Sequence, residues 1–159
     1  MLFNRLIKLR ALSEEGWSGV LAALKRRREL IHNMMKAAEA YIMNHESETL
    51  RNITRACALE QAALGVAETA NAEAGMKAAI VDFKILLQNY PDLQTDNNMM
   101  QIHEEISRLE ERIEQTRRYY NATVRDYNME MDQFPANLIA GLMGFKRAAF
   151  FDTGERPRE

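Results

Sequence analysis

Glu29-Leu30-Ile31-His32 places a carboxylate and an imidazole three residues apart, the spacing with which helical bundles hold a pair of iron ions. Such a site takes a second Glu-x-x-His and two further carboxylates. His45 and His103 instead follow Ile42 and Met100 at that distance. His103-Glu104-Glu105-Ile106-Ser107 departs from the zinc-protease pattern H-E-x-x-H at its last residue, where serine stands in place of the second ligand. Cys57 is the only cysteine, which excludes an intrachain disulfide and a multi-cysteine metal site, and an apolar helix face suits an inert thiol there. The sequence has neither a Gly-rich phosphate loop nor a strand to present a nucleophile. The expectation is a chain with no catalytic residue, no cofactor and no metal ligand.

Two groupings of another kind stand out. Lys25-Arg26-Arg27-Arg28 has the charge to meet phosphates or anionic headgroups, yet four consecutive helical residues turn through about 400° and form no single patch. The apolar stripe from Leu24 to Ile31 requires residue 27 or 28 to face inward. An inward guanidinium needs a carboxylate, so an inter-helix network of Arg27 and Arg28 with Glu110, Glu111 or Glu114 is expected. The second grouping is Tyr119, Tyr120 and Tyr127 with Asn121 and Asn128, a Tyr-Asn repeated at seven residues, read as core aromatics with amides bonding to neighbouring helices or loops in preference to a ligand site.

These residues must be positioned by helices. Seven Gly and three Pro in 159 residues are too few for an all-β fold, and 47% hydrophobic content excludes a disordered chain. A first helix is predicted from about Phe3 to Tyr41 or Met43, with the stripe Leu6, Leu9, Trp17, Val20, Leu24, Ile31, Met35, Ala38 and Ile42. Asn44-His45-Glu46-Ser47 supplies capping groups, and a second helix runs to about Leu64. Gly65 through Gly75 is weakly patterned and reads as a loop. Met76, Ile80, Phe83, Leu87 and Tyr90 mark a third helix that Pro91 stops. Thr95-Asp96-Asn97 caps a fourth, whose four-three alternation runs through Ile102, Ile106, Leu109, Ile113, Thr116, Tyr120, Val124 or Thr123, Tyr127, Met131 and Phe134 to Pro135.

Two helices of nearly forty residues, each about 60 Å long, and two of half that length fit one architecture. It is an all-α, elongated, up-and-down four-helix bundle over residues 1–151, with two long helices continuing as a stalk and a polar, disordered tail at 152–159. Residues 1–46 hold eight Lys/Arg and five Asp/Glu while 96–134 hold five and nine, which favours pairing the first helix with the fourth.

After the fourth helix comes a short apolar segment. Leu138, Ile139, Leu142, Phe145, Phe150 and Phe151, with Lys146 and Arg147 between them, form a candidate contact for membrane or partner. The segment either folds back over the base of the long helices or lies in a bilayer interface with its cations near lipid phosphates. A formal charge of -2 argues against a nucleic-acid binder, and no run of 18 apolar residues is present to span a membrane.

Several stretches resemble the LemA family of bacterial envelope proteins. They are Phe3-Asn4-Arg5-Leu6, Trp17-Ser18, Leu24 through Ile31 with Asn33, Tyr41 with His45-Glu46, Tyr90-Pro91-Asp92-Leu93, and Glu111-Arg112-Ile113 with Arg117-Arg118. Tyr120-Asn121, Tyr127-Asn128, Phe134-Pro135, Ile139-Ala140, Gly144-Phe145 and Phe150-Phe151 complete the set, in order and covering nearly all of residues 3–152. The family usually has proline where His32 stands and tyrosine at position 3. It also commonly carries a transmembrane helix just before the position of Phe3. The resemblance thus implies an up-and-down helical bundle and a soluble piece of a membrane-anchored protein. It implies no reaction, because the family's molecular role is not established. One branch is associated with magnetosome organelles, and no residue here assigns the chain to it. The function expected is a non-catalytic, membrane-anchored interaction or scaffold module of the bacterial envelope, with an unknown protein partner. The alternative is an accessory that senses or shapes membrane through residues 137–151.

Overall fold

A computed structural model describes residues 1–42 and 47–154; Met43, Asn44, His45 and Glu46 of the expected first break, and residues 155–159 of the expected tail, lie outside them. The described residues are all-α. They form α1 (Leu2–Glu39), α2 (Ser47–Ala62), α3 (Gly65–Leu87), α4 (Pro91–Thr95), α5 (Asn97–Asp132) and α6 (Ala136–Leu142). None of these helices is long and apolar enough to cross a membrane.

Three local differences separate this from the four helices expected: the first lengthens α3, and the other two bring the number among the described residues to six. The expected loop at Gly65–Gly75 is the first half of α3. Its alanines are strong helix formers, and the turn before it needs no more than Gly65, whose φ of 77° only glycine adopts freely. Periodicity missed it because the buried positions there are Thr69, Ala70 and Glu73, which do not read as an apolar stripe. With them included, Thr69, Glu73, Met76, Ile80, Phe83 and Leu87 alternate by four and three along the whole helix. Secondly, Pro91 starts the single-turn α4 as well as stopping α3, since its missing N–H is harmless at a first helical position. Thirdly, the chain after Pro135 winds into the two-turn α6.

The chain divides into two compact units. One contains Met1–Ala23 and Arg112–Phe151. Its core holds Leu6, Tyr127, Met131, Ala136 and Ala140, flanked by Leu9, Phe145 and Ala148. Gly16 lets the two long-helix segments approach closely: a Cβ there would stand 3.2 Å from the Tyr120 Cα. Tyr120, Val124, Tyr127 and Met131 are buried as the heptad alternation requires, but Phe134 is 80% exposed, because α5 has ended before it.

The other unit contains Leu24–Glu111. Here α2 packs along α3. Leu24, Ile31, Met34 and Ala38 of α1, Ile53 and Ala56 of α2, Met76, Ile80 and Phe83 of α3, and Ile102, Ile106 and Leu109 of α5 are buried. Ion pairs tie α1 to α5 (Arg26–Glu105, 3.6 Å) and α3 to α5 (Lys84–Glu110, 3.5 Å), both exposed enough to contribute ~0–1 kcal/mol each.

Candidate functional site

Within the unit of residues 24–111, one interior position on each of α1, α2 and α3 carries a charge. Along α1 the buried residues Val20, Leu24, Arg27, Ile31, Met34 and Ala38 alternate by four and three, so Arg27 takes the inward place between Leu24 and Ile31. Glu60 continues the Ile53, Ala56 stripe of α2, and Glu73 lies between Thr69 and Met76 on α3. Each of these three side chains is at most 2% exposed.

The guanidinium of Arg27 makes a forked contact with Glu73: Nη1 donates to Oε1 at 2.9 Å and Nη2 donates to Oε2. Nη2 also donates to Oε2 of Glu60 at 3.2 Å, while Arg28 Nη1 donates to the other Glu60 oxygen at 2.8 Å. Arg27 Nε is buried with no hydrogen-bond partner. Three helices therefore meet through four ionisable side chains, two basic and two acidic.

Burial works against ionisation here and the partners work for it. Burial draws the Arg27 guanidinium down, but its bond to Glu73 and the charges of Glu73, Glu60 and Glu110 leave it raised. Glu60 goes the other way for a carboxyl. Burial, then its hydrogen bond with Glu73, push it from the ordinary 4.5 up to about 7, against the opposing pull of Arg27 and Arg28. Cys57, one turn before Glu60, is raised by its burial and by the Glu60 charge, which makes the thiol less reactive rather than more. Among the described residues no group of three or more His, Cys, Asp or Glu could hold a metal ion.

The inward Arg27 was legible in the sequence; its partners were not. Of the expected carboxylates, Glu110 is paired with Lys84 and reaches Arg27 only through its charge, and Glu111 is exposed. Glu114 bonds Arg117 at 2.6 Å and lies 3.3 Å from Arg118. The guanidinium faces α2 and α3, so Glu60 and Glu73 take those roles. The signal that could have found them is a glutamate at an interior heptad position on each of two helices, balanced by an arginine at an interior position of a third.

The unit of residues 1–23 and 112–151 holds the second polar arrangement. The chain after α6 runs back along α5 as an extended strap from Phe145 to Phe151, gripped through its backbone. Asn128 accepts from the Ala148 N–H at 2.9 Å and donates to the Ala148 carbonyl at 3.0 Å. Asn121 does the same to Phe151, at 2.8 and 3.1 Å. The Tyr127 and Tyr120 hydroxyls donate to the carbonyls of Lys146 (3.0 Å) and Ala149 (2.7 Å). The spacing explains the repeat. Seven helical residues rise about 10.5 Å, and three extended residues span about 10 Å, so each Tyr-Asn pair meets the next gripping point of an antiparallel strap.

The strap divides the candidate contact residues. Phe151 is fully buried against Trp17 (ring centroids 5.5 Å apart), and Phe145 is half-buried against Phe3 at 6.0 Å. The reading of Phe151 as a contact residue is thereby corrected: its ring fills the unit's interior. Arg147 is held by Asp132 through two bonds of 2.7 and 2.8 Å. Ile139 is half-buried, and Phe150 is 49% exposed. Leu138 and Leu142 point outward, Leu142 with 87% of its surface open.

Fold and polar arrangements define a helical protein whose inward charges tie its own helices and whose Tyr-Asn pairs hold its own C-terminal strap. The LemA family profile matches residues 16–159. Protein LemA of Metamycoplasma hominis is 30% identical over 159 residues, covering 98% of this chain and 71% of that protein. Magnetosome protein MamQ 2 of Paramagnetospirillum magneticum is 31% identical over 86 residues, 54% of this chain and 31% of its own length. Magnetosome protein MamQ of Magnetospirillum gryphiswaldense is 26% identical over 80 residues, 50% of this chain and 29% of its own length. The match thus spans less than a third of these magnetosome proteins. The chain belongs to the LemA family.

Proposed function

We propose that this chain is a non-catalytic interaction module held at a membrane of the bacterial cell envelope, where it engages a protein partner as a scaffold. The observation that carries this reading is the use made of the polar residues. Arg27, Arg28, Glu60 and Glu73 are engaged in ties between helices, and Tyr120, Asn121, Tyr127 and Asn128 in holding a strap of the same chain. Groups committed in this way build and stiffen a surface. Family membership supports the bacterial setting, and the family resemblance supports an anchor preceding the position of Phe3 in the full protein. A magnetosome-type role has support only from the partial match to proteins named for that organelle. An up-and-down winding of the main helices belongs to the same proposal, supported within residues 24–111 by the ties of α1 to α2, α3 and α5.

The test is in-cell crosslinking of the full-length protein, followed by membrane fractionation, capture and mass spectrometry. Recovery from the membrane fraction with the same one or two envelope proteins in fixed proportion is the expected result. Recovery from the soluble fraction, or without a reproducible protein partner, would overturn it. A second reading, contact with the membrane surface itself, is favoured by one observation: the outward apolar face beside α6.

A further inference from the structure

Phe134, Leu138 and Leu142 recur at four-residue steps on the turn before α6 and along it, and Met143 follows. All four are more than half exposed. The opposite side of the same short helix, Ala136 and Ala140, is buried in the unit's core. The outward row is thus a stripe with its own direction, on a segment already fastened from behind. Met143 also borders a groove of about 440 Å³ lined by Phe3, Ile7, Ala11 and Phe145 together with Arg10 and Glu14, so the stripe leads into a groove of mixed apolar and charged lining.

Charge decides what meets this face. Residues 1–23 and 112–151 carry nine Lys/Arg against six Asp/Glu, whereas residues 24–111 carry ten against fourteen. The unit that bears the stripe is the basic one. Lys146 stands on the strap just beyond Met143, and the Tyr127 clamp takes only its carbonyl, leaving the exposed ammonium for a ligand. Large apolar side chains with one available cation, Lys146, beside them and a net positive unit behind them match an anionic lipid surface.

We propose that the outward face of α6, made of Phe134, Leu138, Leu142 and Met143 with Lys146 beside it, docks on an anionic phospholipid bilayer. The apolar side chains enter the boundary between headgroups and acyl chains, and the Lys146 ammonium pairs with headgroup phosphate. The inference rests on the membrane reading above and deepens it by naming the surface that touches lipid.

The experiment is co-sedimentation of the 159-residue chain with vesicles of phosphatidylcholine and phosphatidylglycerol in equal parts, against pure phosphatidylcholine. The chain is expected to pellet with the anionic vesicles and to bind the neutral ones about tenfold more weakly or less. Leu138→Ser/Leu142→Ser removes side chains that touch little of the protein, so its helical circular dichroism and melting should match those of the parent. Its affinity for anionic vesicles should fall about tenfold or more. Lys146→Ala should weaken binding about fivefold and flatten its salt dependence. A chain that stays in the supernatant, equal binding to both vesicles, or a double variant that pellets like the parent would each overturn the docking face. Loss of the docking face would leave the full protein's membrane fractionation and crosslinks intact, whereas failure of the interaction-module reading would appear in those measurements instead.

Discussion

Replacing Glu60 by glutamine should change how stability depends on pH far more than it changes stability at mildly acidic pH. In the folded chain burial and the Glu73 hydrogen bond hold the Glu60 carboxyl up at about 7, against 4.5 for an ordinary glutamate. The folded state therefore keeps a proton that the unfolded chain releases. Stability from this proton is fully present below pH 4.5 and is lost as pH rises through about 7. At 1.36 kcal/mol per pKa unit, the raised carboxyl is linked to about 3 kcal/mol across that window. Glutamine resembles the protonated carboxyl and does not titrate. Glu60→Gln should match the parent near pH 4.5–5 and exceed it by up to about 3 kcal/mol at pH 8 and above. Urea unfolding followed by far-ultraviolet circular dichroism, on both proteins at one-unit pH steps, gives the difference directly. Taking the difference cancels the groups that titrate away from Glu60 and its bonded neighbours. A parent-minus-variant difference that stays flat, or that favours the parent as pH rises, would refute the account of Glu60.

Four further outcomes follow from the same geometry. Arg27→Met leaves Glu73 buried without its cation and Glu60 with Arg28 alone, and should cost about 3–5 kcal/mol, while Arg27→Met/Glu60→Leu/Glu73→Leu should recover most of it; denaturant midpoints of the two proteins decide. Asn128→Leu and Asn121→Leu should each free one gripping point, raising amide hydrogen exchange at Ala148 and at Phe151 respectively; no change at either amide would deny the clamp. Gly16→Ala forces a Cβ to 3.2 Å from backbone and should destabilise by about 1 kcal/mol or more, measured by thermal melting. Gly75→Ala, in the interior of α3 with open space around it, should stabilise by about 0.5–1 kcal/mol in the same assay.

Much of the fold could be read from periodicity because apolar residues dominate the stripes. The alternation from Ile102 to Met131 marked α5, and the stripe from Leu24 to Ile31 forced an arginine inward. Reading failed where an interior place is filled by a polar residue. Thr69 and Glu73 made half of α3 look like a loop, and with that half unread, the strongest partner of Arg27 was hidden as well. Assigning the arginine to glutamates of the long acidic helix followed from overall charge balance. Pairing inside a core depends on which faces meet, and overall charge does not encode that. The Tyr-Asn repeat was visible as a repeat, but its role required knowing that an extended strap lay alongside, and no regular pattern announces an extended segment held by side chains. The boundary near Phe134 failed for a simpler reason: the apolar alternation continues past the end of α5, and nothing in it tells an inward phenylalanine from an outward one.

Trp17 gives the strap a consequence of a practical kind. It is the only tryptophan in the chain, and its indole lies 5.2 Å from the Tyr120 ring and 5.5 Å from the Phe151 ring. One of those neighbours is fixed on α5 and the other is the last gripped residue of the strap. Undocking of Phe151 would open the indole to water and shift its emission to longer wavelength, so the protein carries its own optical gauge of whether the strap is seated. Any ligand, lipid or partner that pries the C-terminal segment from α5 would announce itself in unlabelled protein, in real time and at low concentration. One that binds elsewhere would leave the emission untouched.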